Sequence, residues 1–198
     1  MTALIRPIAL SIVLLSSAAQ MRDVDGTARD LFAPAGTANV LVFVASDCPI
    51  SNGYAPEIQR ICRDYRTKGV ACSLVYEDMS IDAAHVRAHR DAYGYKGIAA
   101  VIDVDGAIAK RAAATVTPQA VIVGPAGIVK YRGRIDNQYV ALGKPRRVVT
   151  VHDARDALDA LLAGRPVAHP DTEAFGCFIS KRAIEPKQGP RVPRRNAP

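Results

Sequence analysis

The chain is poor in aromatic residues, with no tryptophan, four phenylalanines and seven tyrosines. Those few are not interleaved with its basic residues, and no nucleic-acid motif accompanies them. The formal net charge of +7 therefore does not make a nucleic-acid-binding surface. Much of that charge is gathered at one end. From Gly164 to Pro198 seven Lys and Arg stand against three Asp and Glu, which reads as a solvated basic tail behind a nearly neutral body. A membrane-length hydrophobic run is also missing. The apolar stretch from Ile8 to Leu15 is too short to span a bilayer and no second one follows, so no stable membrane insertion is expected. There is no internal repeat. The glycine-rich stretch Gly124-Pro125-Ala126-Gly127 lacks the spacing of a phosphate-binding loop and serves as a turn.

What is present is apolar material: 49% of the residues are hydrophobic, enough for one packed domain. The first 19 residues stand apart. Arg6 is their only charge, the short apolar run follows, and Ser17-Ala18-Ala19 offers small residues for cleavage. This reads as a secretory signal peptide over 1–19, with no cysteine after it to mark a lipoprotein. The expected organisation is a folded domain over 20–163 and a basic, proline-rich tail over 164–198, mostly extended or disordered. Within the tail the apolar island Phe175-Gly176-Cys177-Phe178-Ile179 forms a docking segment near 174–179. The expected location is periplasmic or secreted, where thiols can be oxidised and stay so. The four cysteines, Cys48, Cys62, Cys72 and Cys177, allow three complete pairings, and sequence does not choose among them.

Apolar runs alternate with helical periodicity through the body. Val40 to Ala45 reads as a strand covered on both faces. A helix is predicted from about Ser51 to Thr67, kinked at Pro56, then a strand from Val70 to Tyr76 after Gly69. A helix over Ile81 to Tyr93, a strand over Ala99 to Ile102 and a short helix over Ile108 to Ala113 follow. Thr117 to Val123 and Ile128 to Tyr131 make an antiparallel hairpin about the Gly124–Gly127 turn, and Asp153 to Ala163 closes the body as an amphipathic helix. The fold class is α/β, a sandwich with a mixed central sheet.

The most informative stretch is Val40 to Ile61, a buried strand that ends at Cys48 and passes at once into a helix. A sulfur there meets helix N-terminal N–H groups and the positive end of the helix dipole, both of which favour a thiolate. Three markers in order, Cys48-Pro49 after a core strand, Pro56 in the following helix, and Thr117-Pro118 just before a later strand, resemble the thioredoxin fold. The long interval between Cys48 and Pro118 resembles the redoxin branch, the peroxiredoxin-like relatives of alkyl hydroperoxide reductase and thiol-specific antioxidant. That resemblance implies a three-layer thioredoxin-like sandwich with a redoxin-type insertion and a cis Pro118 beside the active-site cysteine.

The departures narrow the chemistry. Where a dithiol thioredoxin has C-x-x-C, this chain has Cys48-Pro49-Ile50-Ser51. Leu41 and Ala45 stand where a peroxiredoxin has the proline and the peroxide-orienting threonine of its motif, and Asn52 stands at the second ligand position of Sco-type copper chaperones. The expected function is an exported thiol-disulfide oxidoreductase with a single active-site cysteine, acting on protein or small-molecule disulfides or on peroxide and drawing on an external thiol reductant. Cys48 is the nucleophile and Cys177 the candidate resolving thiol. Ser51 steadies the thiolate, Thr117 and Pro118 shape the docking groove, and Arg134 with Asp136 supports from behind. Cys62 and Cys72 form a structural disulfide if their Cα atoms come within about 7 Å, with two reduced packed thiols as the alternative. His85 and His89 read as a solvent-facing pair without further ligands at metal spacing, and Asp153 as the cap of the last helix. No organic cofactor and no metal is implied. The rival functions are a Sco-like copper-binding metallochaperone, since soft thiolates select Cu(I), and a non-catalytic interaction module of the same fold.

Overall fold

The structure is a computed structural model that describes residues 21–78 and 80–179. The leader read in residues 1–19 and the tail from residue 180 onward lie outside the described residues. In chain order the elements begin with β1 (Met21–Arg22), β2 (Ala28–Arg29), β3 (Ala38–Val44), α1 (Pro49–Gly53), α2 (Ala55–Arg66), β4 (Val70–Tyr76), α3 (Ala83–Ala92) and β5 (Ala99–Ile102). They continue with α4 (Ala107–Ala112), β6 (Val116–Thr117), β7 (Gln119–Val123), β8 (Val129–Gly133), β9 (Tyr139–Ala141), β10 (Lys144–Pro145), α5 (Asp153–Leu162) and β11 (Cys177–Phe178).

The central sheet has five strands in the order β5-β4-β3-β7-β8. β3, β4 and β5 run parallel, and β7 and β8 are antiparallel to their neighbours, so the sheet is mixed. Every residue of β3 is buried, which is why its sequence from Val40 to Val44 is a continuous apolar run rather than an alternation. Alternation instead decides which layer each side chain enters. Val40, Val42 and Val44 face a core built with α2, α3 and α5 through Ile58, Ile61, Val86, Ala157 and Leu158. Leu41 and Phe43 face the opposite core, shared with Ile108 and Ala112 of α4, Phe32, and Ile179 of the tail. The result is a three-layer α/β sandwich, as the sequence pattern predicts. Leu158, fully buried on α5, is central to the first layer. Leu158→Ala is expected to lower stability by about 3 kcal/mol through lost burial and the cavity left behind. Urea unfolding measures this, and a loss below about 1 kcal/mol would show that α5 is not packed as described.

Two local departures from the sequence reading have simple causes. The helix expected from Ser51 to Thr67 is interrupted at Tyr54, giving α1 and α2 rather than one kinked rod. Pro56 has no N–H to donate and its ring would strike the carbonyl of Asn52 in a continuous helix, so α2 restarts with Pro56 in its first turn, where no donor is needed. The part of the tail that is described is not loose. β8 is an edge strand, and residues 170–172 satisfy its backbone groups: Arg132 N–H donates to the Pro170 carbonyl at 2.8 Å and Thr172 N–H to the Arg132 carbonyl at 3.0 Å. Farther on, β11 pairs antiparallel with β6. Ile179 N–H donates to the Thr115 carbonyl at 3.0 Å while its side chain is buried.

Candidate active site

β3, the middle strand, delivers the chain to the C-terminal end of the parallel strands, and the loop Ala45–Asp47 turns it into α1 with Cys48 as the N-terminal cap residue. Cys48 has extended backbone angles, and its carbonyl accepts the Asn52 N–H at 3.0 Å. Its side chain is buried. Directly opposite lies the Thr117–Pro118 peptide, which is cis, and the Thr117 carbonyl oxygen is 3.3 Å from Cys48 Sγ. The tail closes the third side. β11 aligns Cys177 with Thr117, and Cys177 is joined to Cys48 by a disulfide with a Cα–Cα distance of 6.2 Å. The connection spans 129 residues. Gly176 makes this approach possible, because a Cβ there would run into the Thr117 carbonyl. Cys48 is 1% exposed whereas Cys177 is only partly buried, so the two sulfurs are unequal toward solvent.

The other nominated residues are distributed as follows. Ser51 is fully buried, and its Oγ accepts the Ala45 N–H at 3.4 Å, bracing the loop that carries Cys48. Arg134 is engaged by the Asp153 carboxylate, with its Nε donating at 2.7 Å and a second nitrogen at 3.2 Å. Asp153 is therefore an ion-pair partner in the first turn of α5, and His152 occupies the cap position. Asp136 accepts from Tyr54 Oη at 2.9 Å and thereby holds the α1–α2 junction. Burial raises the Asp136 carboxyl above the usual carboxylate range. Cys62 of α2 and Cys72 of β4 form a second disulfide with a Cα–Cα distance of 5.6 Å. Among the described residues no group of three or more His, Cys, Asp or Glu is gathered as a metal site.

Two groups that sequence reading assigned otherwise, or passed over, belong to this end of the sheet. The first is His89, buried rather than solvent-facing. Asn52 Nδ2 donates to the Ser46 carbonyl at 2.9 Å, which turns its Oδ1 to His89 Nε2 at 2.9 Å. His89 thus carries its proton on Nε2 and accepts from Tyr76 Oη at Nδ1, 2.8 Å away. His85 Nε2 lies 3.0 Å from Ser46 Oγ. His85 thus holds the loop before Cys48 directly, and His89 does so through Asn52. Burial first, and the neighbouring His85 second, hold the His89 pKa below its ordinary value.

The second is Glu77, immediately after β4, whose N–H donates to the Val44 carbonyl at 3.3 Å. Both carboxyl oxygens are buried without a hydrogen-bond partner among the described residues. The neighbouring Asp103 uses its own oxygens to accept the Ile108 and Ala109 N–H groups. Burial first and the Asp103 charge second push the Glu77 pKa up to about 9, so the group is protonated near neutrality. The unfolded chain releases this proton above pH 4.5 while the folded chain keeps it to about 9, so stability falls as pH rises across that window. Glu77→Gln is expected to raise Tm at about pH 8 and to leave it nearly unchanged at about pH 4. Calorimetry at both pH values checks this, and an equal shift at both would assign the effect to packing.

No family model matches the chain, and no curated protein matches it. Its structure is similar to that of an uncharacterized conserved protein from Geobacillus kaustophilus, with 26% identity and a TM-score of 0.69 over 86% of this chain and 89% of that one. It is also similar to a hypothetical protein from Sinorhizobium meliloti, with 26% identity and a TM-score of 0.70 over 86% and 95% of the two chains. A secreted Mycobacterium tuberculosis disulfide oxidoreductase, homologous to Escherichia coli DsbE, is similar at 17% identity and a TM-score of 0.51 over 73% and 94%. The fold is thioredoxin-like, with a mixed central sheet between helical layers.

Proposed function

We propose that the protein is an exported thiol-disulfide oxidoreductase in which Cys48 is the nucleophile and Cys177 resolves the intermediate. The observation that carries this reading is the Cys48–Cys177 disulfide held against the cis Thr117–Pro118 peptide. In the reduced form the Cys48 thiolate, favoured by the α1 N-terminus, attacks one sulfur of a substrate disulfide. A mixed disulfide forms and the other substrate sulfur leaves as a thiolate. The Cys177 thiolate then attacks Cys48 Sγ, the second substrate sulfur leaves, and the substrate has gained the two electrons that the protein dithiol lost. An external thiol reverses the change. Because Cys177 is the more exposed sulfur, it receives that attack, and Cys48 leaves as the thiolate that its position favours.

The folded body supports export only indirectly. Among the described residues no helix is long and apolar enough to cross a membrane, and two disulfides suit an oxidising compartment. The chemistry is tested by equilibrating the protein in glutathione buffers of graded poise, alkylating free thiols and mapping each cysteine by mass spectrometry. Cys48 and Cys177 are expected to open and close together, reversibly, as one two-electron couple. A bond that stays closed until the protein unfolds would make it a structural staple and remove the proposal. Running the same map with hydrogen peroxide separates disulfide exchange from peroxide reduction, which would first leave a sulfenic acid on Cys48.

A further inference from the structure

The Cys62–Cys72 disulfide lies at the other end of the sheet. β3 and β4 run parallel with Val40 opposite Cys72 and Val44 opposite Tyr76, and Cys48 follows beyond Val44. From Val40 to Val44 alone the strand rises about 13 Å. Around the second disulfide the surface is hollowed into a cleft of about 620 Å³ between α2, the start of β4 and the loop leading into β5. Both sulfur-bearing residues line it, Cys62 buried and Cys72 half-buried. Arg29, Arg63, Arg66 and Lys96 also line it, and no Asp or Glu does. Arg29 is paired with Asp23 and Arg63 with Asp64, but Arg66 and Lys96 form no ion pair among the described residues. A reducible bond thus stands in the wall of a concave cleft whose charged residues are all basic.

We propose that this cleft is a second redox site, in which the Cys62–Cys72 disulfide exchanges with a small acidic thiol. The carboxylate of the incoming thiol is held by Arg66 and Lys96. Its thiolate attacks Sγ of Cys72, the more exposed partner. A sulfur–sulfur bond forms between the thiol and Cys72, the Cys62–Cys72 bond breaks, and Cys62 leaves as a thiolate. Arg66, four residues along the same face of α2, offsets that negative charge. A second thiolate attacks the outer sulfur of the mixed disulfide, releasing the oxidised small-molecule disulfide and the Cys72 thiolate. Two electrons pass from two thiols to the protein, and both cysteine thiolates take protons from water. This site does not depend on the reading of Cys48, because each disulfide is followed through its own peptides.

The test is the rate at which the Cys62–Cys72 bond of the folded, oxidised protein opens with mercaptoacetate, 2-mercaptoethanol and cysteamine, compared at equal thiolate concentration by alkylation and mass mapping. Near 0.01 M ionic strength, mercaptoacetate is expected to react about tenfold faster than 2-mercaptoethanol, with cysteamine slowest, and the order should collapse near 1 M salt. The variant Arg66→Gln, Lys96→Gln changes two exposed side chains and should bring the three rates to within about twofold. Equal rates for the three thiols in the native protein, or a preference for mercaptoacetate that survives the double substitution, would overturn the proposal. So would a Cys62–Cys72 bond that resists all three thiols while the protein stays folded.

Discussion

Cys48→Ser is expected to slow disulfide exchange by about three orders of magnitude or more, to the rate of the uncatalysed reaction. A serine hydroxyl does not ionise near neutral pH, so neither the thiolate nor the mixed disulfide can form. The side chain is nearly isosteric and the site is fully buried, so the loop from Ala45 to α1 should keep its shape. The substitution also removes the 129-residue tie to the tail, and the loss of rate must be separated from the loss of that tie. Cys177→Ser is the control, since it removes the same tie and leaves Cys48 in place. Stopped-flow turnover of a fluorogenic disulfide in the presence of excess external thiol measures both. Equal residual rates in the two variants would mean that the tie, and not the Cys48 sulfur, is what turnover needs.

Cys177→Ser has its own large consequences, in stability and in the distribution of intermediates. Closing a loop of about that length restricts the unfolded chain by about 5 kcal/mol in the chain-entropy treatment. The observed loss should be smaller, because the hydrogen bonds of residues 170–172 to β8 and the burial of Ile179 still hold the tail to the body. Urea midpoints for oxidised wild type and variant give the difference. Chemically, the variant should complete the first attack and stop. Mixed disulfides on Cys48 should accumulate with substrate and be released only by external thiol. A variant that turns over without accumulating them would assign resolution to the external thiol alone and dismiss Cys177 from the cycle.

The sheet and its connections were legible because its inner strands are short, largely apolar runs with turn residues at their ends. Val70–Tyr76 and Ala99–Ile102 need no tertiary information to be read. The position of Cys48 was legible because Pro49 suits the first turn of a helix and so marks the preceding residue as its cap. β3 itself ends at Val44, and a short loop leads from it to Cys48. His89 was not legible. Arg87, Arg90 and Asp91 beside it on α3 suggest a solvent-facing helix, and the ring is buried where Tyr76 from β4 and Asn52 from α1 supply partners that sequence spacing does not bring together. Glu77 escaped notice because a glutamate after a strand ordinarily marks the surface. Here its carboxyl oxygens are buried beside Asp103. The composition of residues 164–173, ahead of the expected docking segment, suggests a loose extended chain, while the edge of β8 that captures residues 170–172 is a property of the folded sheet. For Cys62 and Cys72 the spacing left pairing open, because it depends on how closely α2 sits on β4. The structure brings their Cα atoms to 5.6 Å.

That Cys48 strikes first and Cys177 resolves is tested most directly in a single turnover. Reduced protein is mixed with one equivalent of oxidised glutathione, quenched in acid at successive times, alkylated and mapped. The predicted sequence is a glutathione adduct on Cys48 that rises first and decays as the Cys48–Cys177 disulfide appears, with Cys177 never carrying the adduct ahead of Cys48. A Cys48 that remains unmodified while the protein is folded, or an adduct that forms first on Cys177, would contradict it.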